Sequence, residues 1–372
     1  MAIQTSHVGS LPRSQKVVDY IFAREKGEDY NEIEFDQVMT EAVNDTVRKQ
    51  KKAGITIVSD GETSKISYAT YVKDRYHGFA GDSPRNAPAD LKKFPNYLQK
   101  LANDGGTPKY ARPMCVSKLE PKKNDDLIKD IDNLKKALKG NDIKKGFMNA
   151  ASPGVISLFL QNDYYPSRED YLEALSNLMQ SEYEMIVKSG LDLQIDCPDL
   201  ALSRHMLFND MTDDEFVKVA SINIESLNNA LRNIPKDKIR IHICWGNYEG
   251  PHICDISISK MFETLMNVKT GHILFEAANP RHAHEWEVFE EKKNLIPDDL
   301  ILMPGVIDTT TNFVEHQNLV MQRLKNFTNI VGNDRVIGSS DCGFGTFAGF
   351  GTIDPDIAYE KLKVLAEGAA KV

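Results

Sequence analysis

The feature that most constrains the fold is a repeated alternation of short β-branched runs with longer amphipathic stretches. Such alternation is typical of consecutive βα units, whose strands pair in parallel. Nine runs have strand character, one more than an eight-stranded barrel requires: residues 3–8, 55–59, 114–117, 146–149, 191–196, 239–244, 272–276, 300–307 and 336–340. The pattern predicts a single (β/α)8 TIM barrel, with the run at 114–117 in a hairpin or an insertion.

Helix-end signals support this interpretation. The amphipathic stretches 35–53 and 168–189 are each followed by a glycine, the residue that most easily adopts the left-handed conformation after a helix. Residues 78–145 break the rhythm, because they are rich in Gly, Pro, Lys and Asp. We therefore expect one catalytic domain spanning 1–372, with 78–145 as an insertion that carries a charged surface helix around 125–138.

Charge and cysteine content exclude several classes of protein. The net charge of −9 provides no basic surplus for binding nucleic acid. The five cysteines are an odd number without regular spacing, which favours free thiols over a disulfide framework. No apolar run reaches the roughly 18 residues of a membrane helix, and the amino terminus lacks a secretory pattern. We expect a cytoplasmic protein that binds neither nucleic acid nor membrane.

Polar residues close nearly every predicted strand. In a (β/α)8 barrel the loops after the strands converge on one face, where active sites lie. The strand-end segments are therefore candidates for a shared active site: 7–10, 60–62, 196–199, 242–244, 276, 308 and 341–343.

Among them, four residues form a candidate metal site. His242 and Cys244 are two residues apart in an extended run, so their side chains share one face. Glu276 and Cys342, which follow later strands, bring the set to four. Two thiolates with one imidazole favour Zn²⁺ over cations that prefer oxygen ligands alone.

The set has a plainer alternative. A His-x-Cys pair at a strand end is more often involved in packing than in metal binding, and Cys342 can simply fill space in a glycine-rich loop. His252 and Cys254 form a second such pair nearby, which we interpret as a decoy because it lies in a loop insertion.

The ordered motifs resemble those of a known family. The segments are HVGSLPR, DGE (60–62), LQID (193–196), HIC (242–244), ILFE (273–276), PGVID (304–308) and SDCG (340–343). Together they resemble the catalytic half of cobalamin-independent methionine synthase, and they are similar to the related epoxyalkane:coenzyme M transferases. The resemblance implies a barrel of the methionine synthase and uroporphyrinogen decarboxylase type, with zinc bound by His242, Cys244, Glu276 and Cys342.

The resemblance also implies an activity. In this family zinc binds the substrate thiol and lowers its pKa from about 8.5, so that a thiolate can attack an alkyl carbon at neutral pH. The backbone at Gly9 and Ser10 would hold the carboxylate of homocysteine, and Glu62 with Asp196, the two candidate catalytic acids, would pair with its ammonium group. The alternative is that both acids only cap loops.

One departure from the family leaves the alkyl donor open. Where the synthase carries a histidine two residues after the aspartate of its GVxD motif, this chain has Thr310. The expected partners are thus a small-molecule thiol and a methylated folate, a simpler methyl carrier or an epoxide, with a homo-oligomer as one assembly. The alternative functions are epoxide opening by coenzyme M, a metal-free lyase like uroporphyrinogen decarboxylase, and a catalytically silent protein that binds zinc or a thiol.

Overall fold

The computed structural model describes residues 3–84, 87–103, 110–123, 125–351 and 353–372. Within these residues the strands are β1 (Gln4–Thr5), β2 (Tyr76–Ala80), β3 (Met114–Pro121), β4 (Phe147–Ala151), β5 (Asp192–Asp196), β6 (Ile239–His242), β7 (His272–Phe275), β8 (Ile301–Ile307) and β9 (Ile337–Ser340). Seven of them form one curled parallel sheet in the order β1-β9-β8-β7-β6-β5-β4.

An extended segment, residues 55–58, closes the gap between β1 and β4. The N–H of Ile57 donates to the carbonyl of Thr5 in β1 at 3.0 Å, and the N–H of Phe147 in β4 donates to the carbonyl of Val58 at 2.9 Å. One isolated parallel bridge joins Val58 to Gly146, the residue just before β4. This segment takes the eighth position, and the predicted TIM-barrel fold is confirmed.

Helices surround the sheet. They are α1 (Gln15–Lys26), α2 (Glu32–Lys52), α3 (Val72–Arg75), α4 (Ala89–Lys92), α5 (Pro95–Asn103), α6 (Asp126–Gly140), α7 (Pro153–Phe159), α8 (Arg168–Lys188), α9 (Ser203–Met206), α10 (Asp213–Ala230), α11 (Ile258–Leu265), α12 (Trp286–Glu291), α13 (Gln317–Val331) and α14 (Pro355–Ala369). Among the residues described, no helix combines the length and apolarity needed to cross a bilayer.

The long helices end as their sequences predict. Gly54 and Gly190, which follow α2 and α8, have φ of 85° and 94°, a conformation that costs glycine little. Thr212 and Glu215 form a reciprocal capping box at the start of α10, which satisfies two N–H groups that the first helical turn leaves without partners.

Apolar side chains fill the lower part of the barrel interior. Val8, Ile57, Phe147, Leu274, Met303 and Ile337 pack together there and are buried. A larger cluster packs the outer face of the sheet against the helices. Because this interior is closed by side chains, space for a ligand lies at the carboxyl ends of the strands.

The predicted insertion contains a separate two-stranded sheet. β2 and β3 pair antiparallel, which confirms that the run at 114–117 lies outside the barrel. Arg75, just before β2, forms buried ion pairs with Glu182 of α8 at 2.8 Å and Asp130 of α6 at 2.6 Å, and so ties the sheet to the barrel. Residues 85–86, 104–109 and 124 of the predicted insertion lie outside the described residues.

Candidate metal centre and substrate cavity

Three of the four predicted metal ligands meet at the carboxyl end of the barrel. His242 ends β6, Cys244 lies two residues beyond it, and Cys342 follows β9. The two sulfur atoms are 3.8 Å apart, and one ring nitrogen of His242 lies within 4.8 Å of both. All three side chains are buried. The fold thus unites residues that are about a hundred positions apart.

The chemistry of this triad fits zinc. Two sulfurs bound at about 2.3 Å to a tetrahedral ion stand about 3.8 Å apart, which is the separation of Cys244 and Cys342. Without a cation, the hydrogen bond to Cys342, burial, and the charge of Cys342 raise the pKa of the Cys244 thiol well above its usual value. A divalent ion would offset that repulsion and stabilise both thiolates.

Asp196 orients the histidine of the triad. Its Oδ1 lies 3.2 Å from Nδ1 of His242, and Asn149 donates to its Oδ2 at 2.9 Å. A carboxylate beside a ligating imidazole fixes the ring and its tautomer, and is a frequent companion of metal-bound histidine. Asp196 therefore has a second task besides the ammonium recognition that the resemblance implies.

Glu276 lies beside the triad rather than within it. The N–H of Trp245 donates to its Oε1 at 2.9 Å, and the amide of Asn279 donates to its Oε2 at 2.8 Å. Burial and the nearby Cys244 raise the pKa of this carboxyl well above its ordinary value. Its role as fourth ligand stays a prediction.

Asp341 fixes the loop that carries Glu276 to the strand end that carries Cys342. Its carboxylate accepts from the N–H groups of Ala277, Ala278 and Asn279 at 2.8–2.9 Å. The sequence placed Asp341 at a strand end without showing this role. Two parts of the predicted metal set are therefore held in register by one buried side chain.

A cavity of about 260 Å³ opens over the triad. Ser10, Glu62 and Asp196 line it beside His242, Cys244 and Cys342. Aromatic side chains line the rest, notably Tyr68, Phe159 and Phe347. The structure thus brings six of the eight predicted site residues to one chamber with a polar and an aromatic end.

Glu62 is strained, buried and incompletely bonded. Its φ is 55°, unusual for a residue with a side chain, and its Oε2 has no hydrogen-bond partner among the described residues. Burial, followed by the charge of Asp196, raises its pKa to about 8, although Lys65 and Arg13 act in the opposite direction. A carboxyl held neutral at the wall of a cavity would ionise when a cation enters, which is consistent with binding an ammonium group.

Gly9 does not line the cavity, whereas Ser10 does. With φ of 153°, Gly9 adopts a conformation that strains other residues, and an added Cβ would collide with the side-chain amide of Asn149. That amide donates to the carbonyl of Val8 at 2.9 Å as well as to Asp196. Gly9 therefore makes room for the amide that holds Asp196.

We predict that Gly9→Ala lowers the free energy of unfolding by about 1–3 kcal/mol, because the new methyl group displaces Asn149 and strains the backbone. Urea denaturation of the variant measures this loss. Gly140→Ala is the matched control: its Cβ would meet only Asn44, at 3.9 Å, and alanine favours the helix there. An equal effect of both changes would contradict the argument.

Thr310 lines a second cavity of about 270 Å³, which shares Cys342 with the first. Asp308 accepts from its N–H at 3.0 Å and from its hydroxyl at 2.8 Å. Glu276, Asp308 and Cys342 line this second cavity too. The residue that replaces the family's histidine thus belongs to a turn held by Asp308.

The His252 and Cys254 pair is absent from the one candidate metal cluster found among the described residues. Nδ1 of His252 bonds with Asp255 at 2.9 Å, and its Nε2 lies 3.0 Å from the carbonyl of Tyr248. Both ring nitrogens are therefore used to shape a loop.

Similarity to known proteins extends over nearly the whole chain. The chain is 25% identical over 368 residues to the methionine synthase of Thermococcus kodakarensis, and the alignment covers 98% of this chain and 92% of that one. The resemblance drawn from the motifs is confirmed. The 2-hydroxypropyl-CoM lyase of Xanthobacter autotrophicus is 24% identical over 401 residues, with 99% and 94% of the two chains covered. No family model matches the chain.

A solved structure supports the fold independently. A B12-independent methionine synthase from Shewanella sp. W3-18-1, in complex with selenomethionine, superposes with a TM-score of 0.72 at 20% identity and covers 99% of this chain and 97% of that one. Likeness at this level of identity establishes the shared barrel, and the chemistry must be argued from the side chains.

Proposed function

We propose that the protein is a zinc-dependent thiol alkyltransferase that methylates the thiol of homocysteine to give methionine. The observation that carries this proposal is the buried triad of His242, Cys244 and Cys342 at the wall of a ligand-sized cavity. Similarity to methionine synthases of matching length supports the reaction class.

The triad would hold the metal, with Glu276 as the proposed fourth ligand. Zinc bound there supplies a positive charge that lowers the pKa of a coordinated thiol. Asp196 keeps the His242 ring in place, and Asp341 keeps Glu276 and Cys342 in register. These residues are organised before a ligand arrives, which avoids a reorganisation cost during reaction.

The polar end of the cavity would hold the amino acid part of homocysteine. Glu62 and Asp196 would provide negative charge for its ammonium, and the backbone at Ser10, which lines the same cavity, would bind its carboxylate. With the ammonium and the carboxylate both bound, the side chain of homocysteine would direct its sulfur to the triad. The methyl group then passes from the donor to sulfur, the thiol proton leaves to solvent, and the donor retains the electron pair of the broken bond.

The second candidate is the opening of an epoxide by a small thiol. The similarity to a 2-hydroxypropyl-CoM lyase favours it, and Thr310 makes folate a less obvious donor, since a threonine hydroxyl is a much weaker acid than an imidazolium ion. In that reaction the thiolate attacks an epoxide carbon, and the ring oxygen takes up a proton.

Metal analysis combined with a transfer assay tests the proposal. We expect about one zinc per chain and S-methylation of homocysteine by one of the methyl donors supplied. Alkylation of 2-mercaptoethanesulfonate by propylene oxide would instead support the second candidate. Full activity in metal-free protein would refute both, and zinc without any alkylated thiol would indicate a silent binding protein.

A further inference from the structure

Arg112 is a cation at the aromatic end of the cavity. It belongs to the insertion, just before β3, and is half-buried in the cavity wall. Its Nε and Nη2 donate to the hydroxyl of Tyr110 at 3.2 and 3.0 Å, and its guanidinium lies 5.1 Å from the ring centre of Phe159. The arginine ion pairs found among the described residues are those of Arg24, Arg48, Arg75 and Arg204, and Arg112 is not among them.

The aromatic rings around Arg112 form a continuous shelf. Tyr68 contacts Phe159 and Phe347, with ring centres 5.9 and 6.0 Å apart, and Tyr110 stacks on Phe347 at 5.6 Å. Rings that already pack edge to face and in stacks hold their positions, so the shelf offers a fixed apolar surface to a planar ligand. The guanidinium lies at its edge.

Charge is therefore divided along the cavity. Glu62 and Asp196, the carboxyl groups of its wall, lie at the end near the triad, whereas Arg112 is a cation at the aromatic end. An amino acid thiol held at the polar end does not use the aromatic end. That space, with its cation, remains for the second substrate.

We propose that Arg112 forms an oxyanion-binding subsite that recognises the carboxylate of an alkyl donor bearing a planar ring. A guanidinium presents paired N–H donors that match the two oxygens of a carboxylate, and the shelf would stack on the ring. The inference rests on the proposed function in one respect, since it assigns the remaining space to the donor. Among the donor classes that the sequence leaves open, it favours an anionic, ring-containing donor over an epoxide or a cationic carrier.

Calorimetric titration of the zinc-loaded full chain, saturated with homocysteine, tests the subsite without turnover. The probes are benzoate and benzamide, which share ring and shape and differ in charge. We expect wild type to bind benzoate about tenfold more tightly than benzamide, because the carboxylate forms charge-assisted hydrogen bonds with the guanidinium and the amide does not. Arg112→Gln should abolish this preference, and Arg112→Lys, which keeps the charge without the fork, should retain part of it.

Arg232→Gln is the matched control, because Arg232 is exposed and its side chain bonds to Asn229 outside the cavity. Equal binding of the two probes by wild type, or an unchanged preference in Arg112→Gln, would overturn the subsite. The subsite and the proposed function can fail independently. If the protein prefers benzoate but alkylates no thiol, the subsite stands and the proposed function is wrong. If it methylates homocysteine but shows no preference for benzoate, the function stands and the subsite is wrong. Thermal melting of each variant verifies that it is folded.

Discussion

Cys342→Ala is expected to lose most of its zinc and to reduce methyl transfer by about 10³-fold or more. The substitution removes one of two sulfurs that stand 3.8 Å apart. Only one thiolate then remains, beside His242 and the proposed ligand Glu276, so the site should hold zinc much less tightly. Metal analysis after dialysis, together with single-turnover transfer to homocysteine, measures both effects.

The fold should survive this loss. The barrel is held by its sheet, by a large apolar cluster between sheet and helices and by a smaller one in the interior, so the site depends on the fold and not the reverse. Circular dichroism should therefore show an unchanged secondary structure. Cys254→Ala is the control, because Cys254 lies outside the triad, and it should retain full zinc. Zinc loss in the control, or unfolding of the metal-free protein, would contradict this view of the site.

Glu62→Gln is expected to weaken methionine binding by about 10- to 100-fold above pH 8, and to change its pH dependence. In wild type, affinity should rise as the pH increases through about 8, since the carboxyl is neutral below that pKa and negative above it. The variant has no such group and should lose the rise. Calorimetry with methionine, the product, avoids titration of a substrate thiol. The analogue 4-(methylthio)butanoate, which lacks the ammonium group, is the control and should show no rise in either protein.

The same pKa has a consequence for stability. Glu62 binds its proton more tightly in the folded chain than in the unfolded chain, whose carboxyl has a pKa near 4.5. Its contribution to stability is complete below pH 4.5 and is lost as the pH rises through about 8. Urea denaturation should therefore show that wild type loses more stability than Glu62→Gln between pH 5 and pH 9. Equal losses would indicate that Glu62 has an ordinary pKa.

The sequence predicted the barrel well because each strand is a short run between helices of clear periodicity. It also predicted that His242, Cys244 and Cys342 lie together, since residues at strand ends converge in this fold. The run at 55–59 is predicted as an ordinary strand, but residues 55–58 pair so briefly that only hydrogen bonds to the neighbouring strands show their place. Such pairing depends on residues far away in the chain, so the local sequence pattern cannot predict it.

Other parts of the site gave no sequence signal strong enough to use. Asn149 ends a predicted strand, and a polar residue at that position is a visible signal. Its hydrogen bond to Asp196, however, depends on the absence of a side chain at Gly9. Arg112 lies in the irregular insertion, where no periodicity indicates which way a side chain points. The assignment of the whole chain to one domain stays a prediction, as do the roles of Gly9 and Ser10.

The pairing of β1 with β9 brings Gln4 against Ile337, so the ring of strands is closed by its first and last members. During synthesis, His242 and Cys244 emerge well before Cys342, while the sheet still has open edges. Contacts so distant in sequence form late, because the chain between them must first be ordered. Tight metal binding would then be acquired at the last stage of folding, and a chain that ends before Cys342 would bind the ion weakly and lose it.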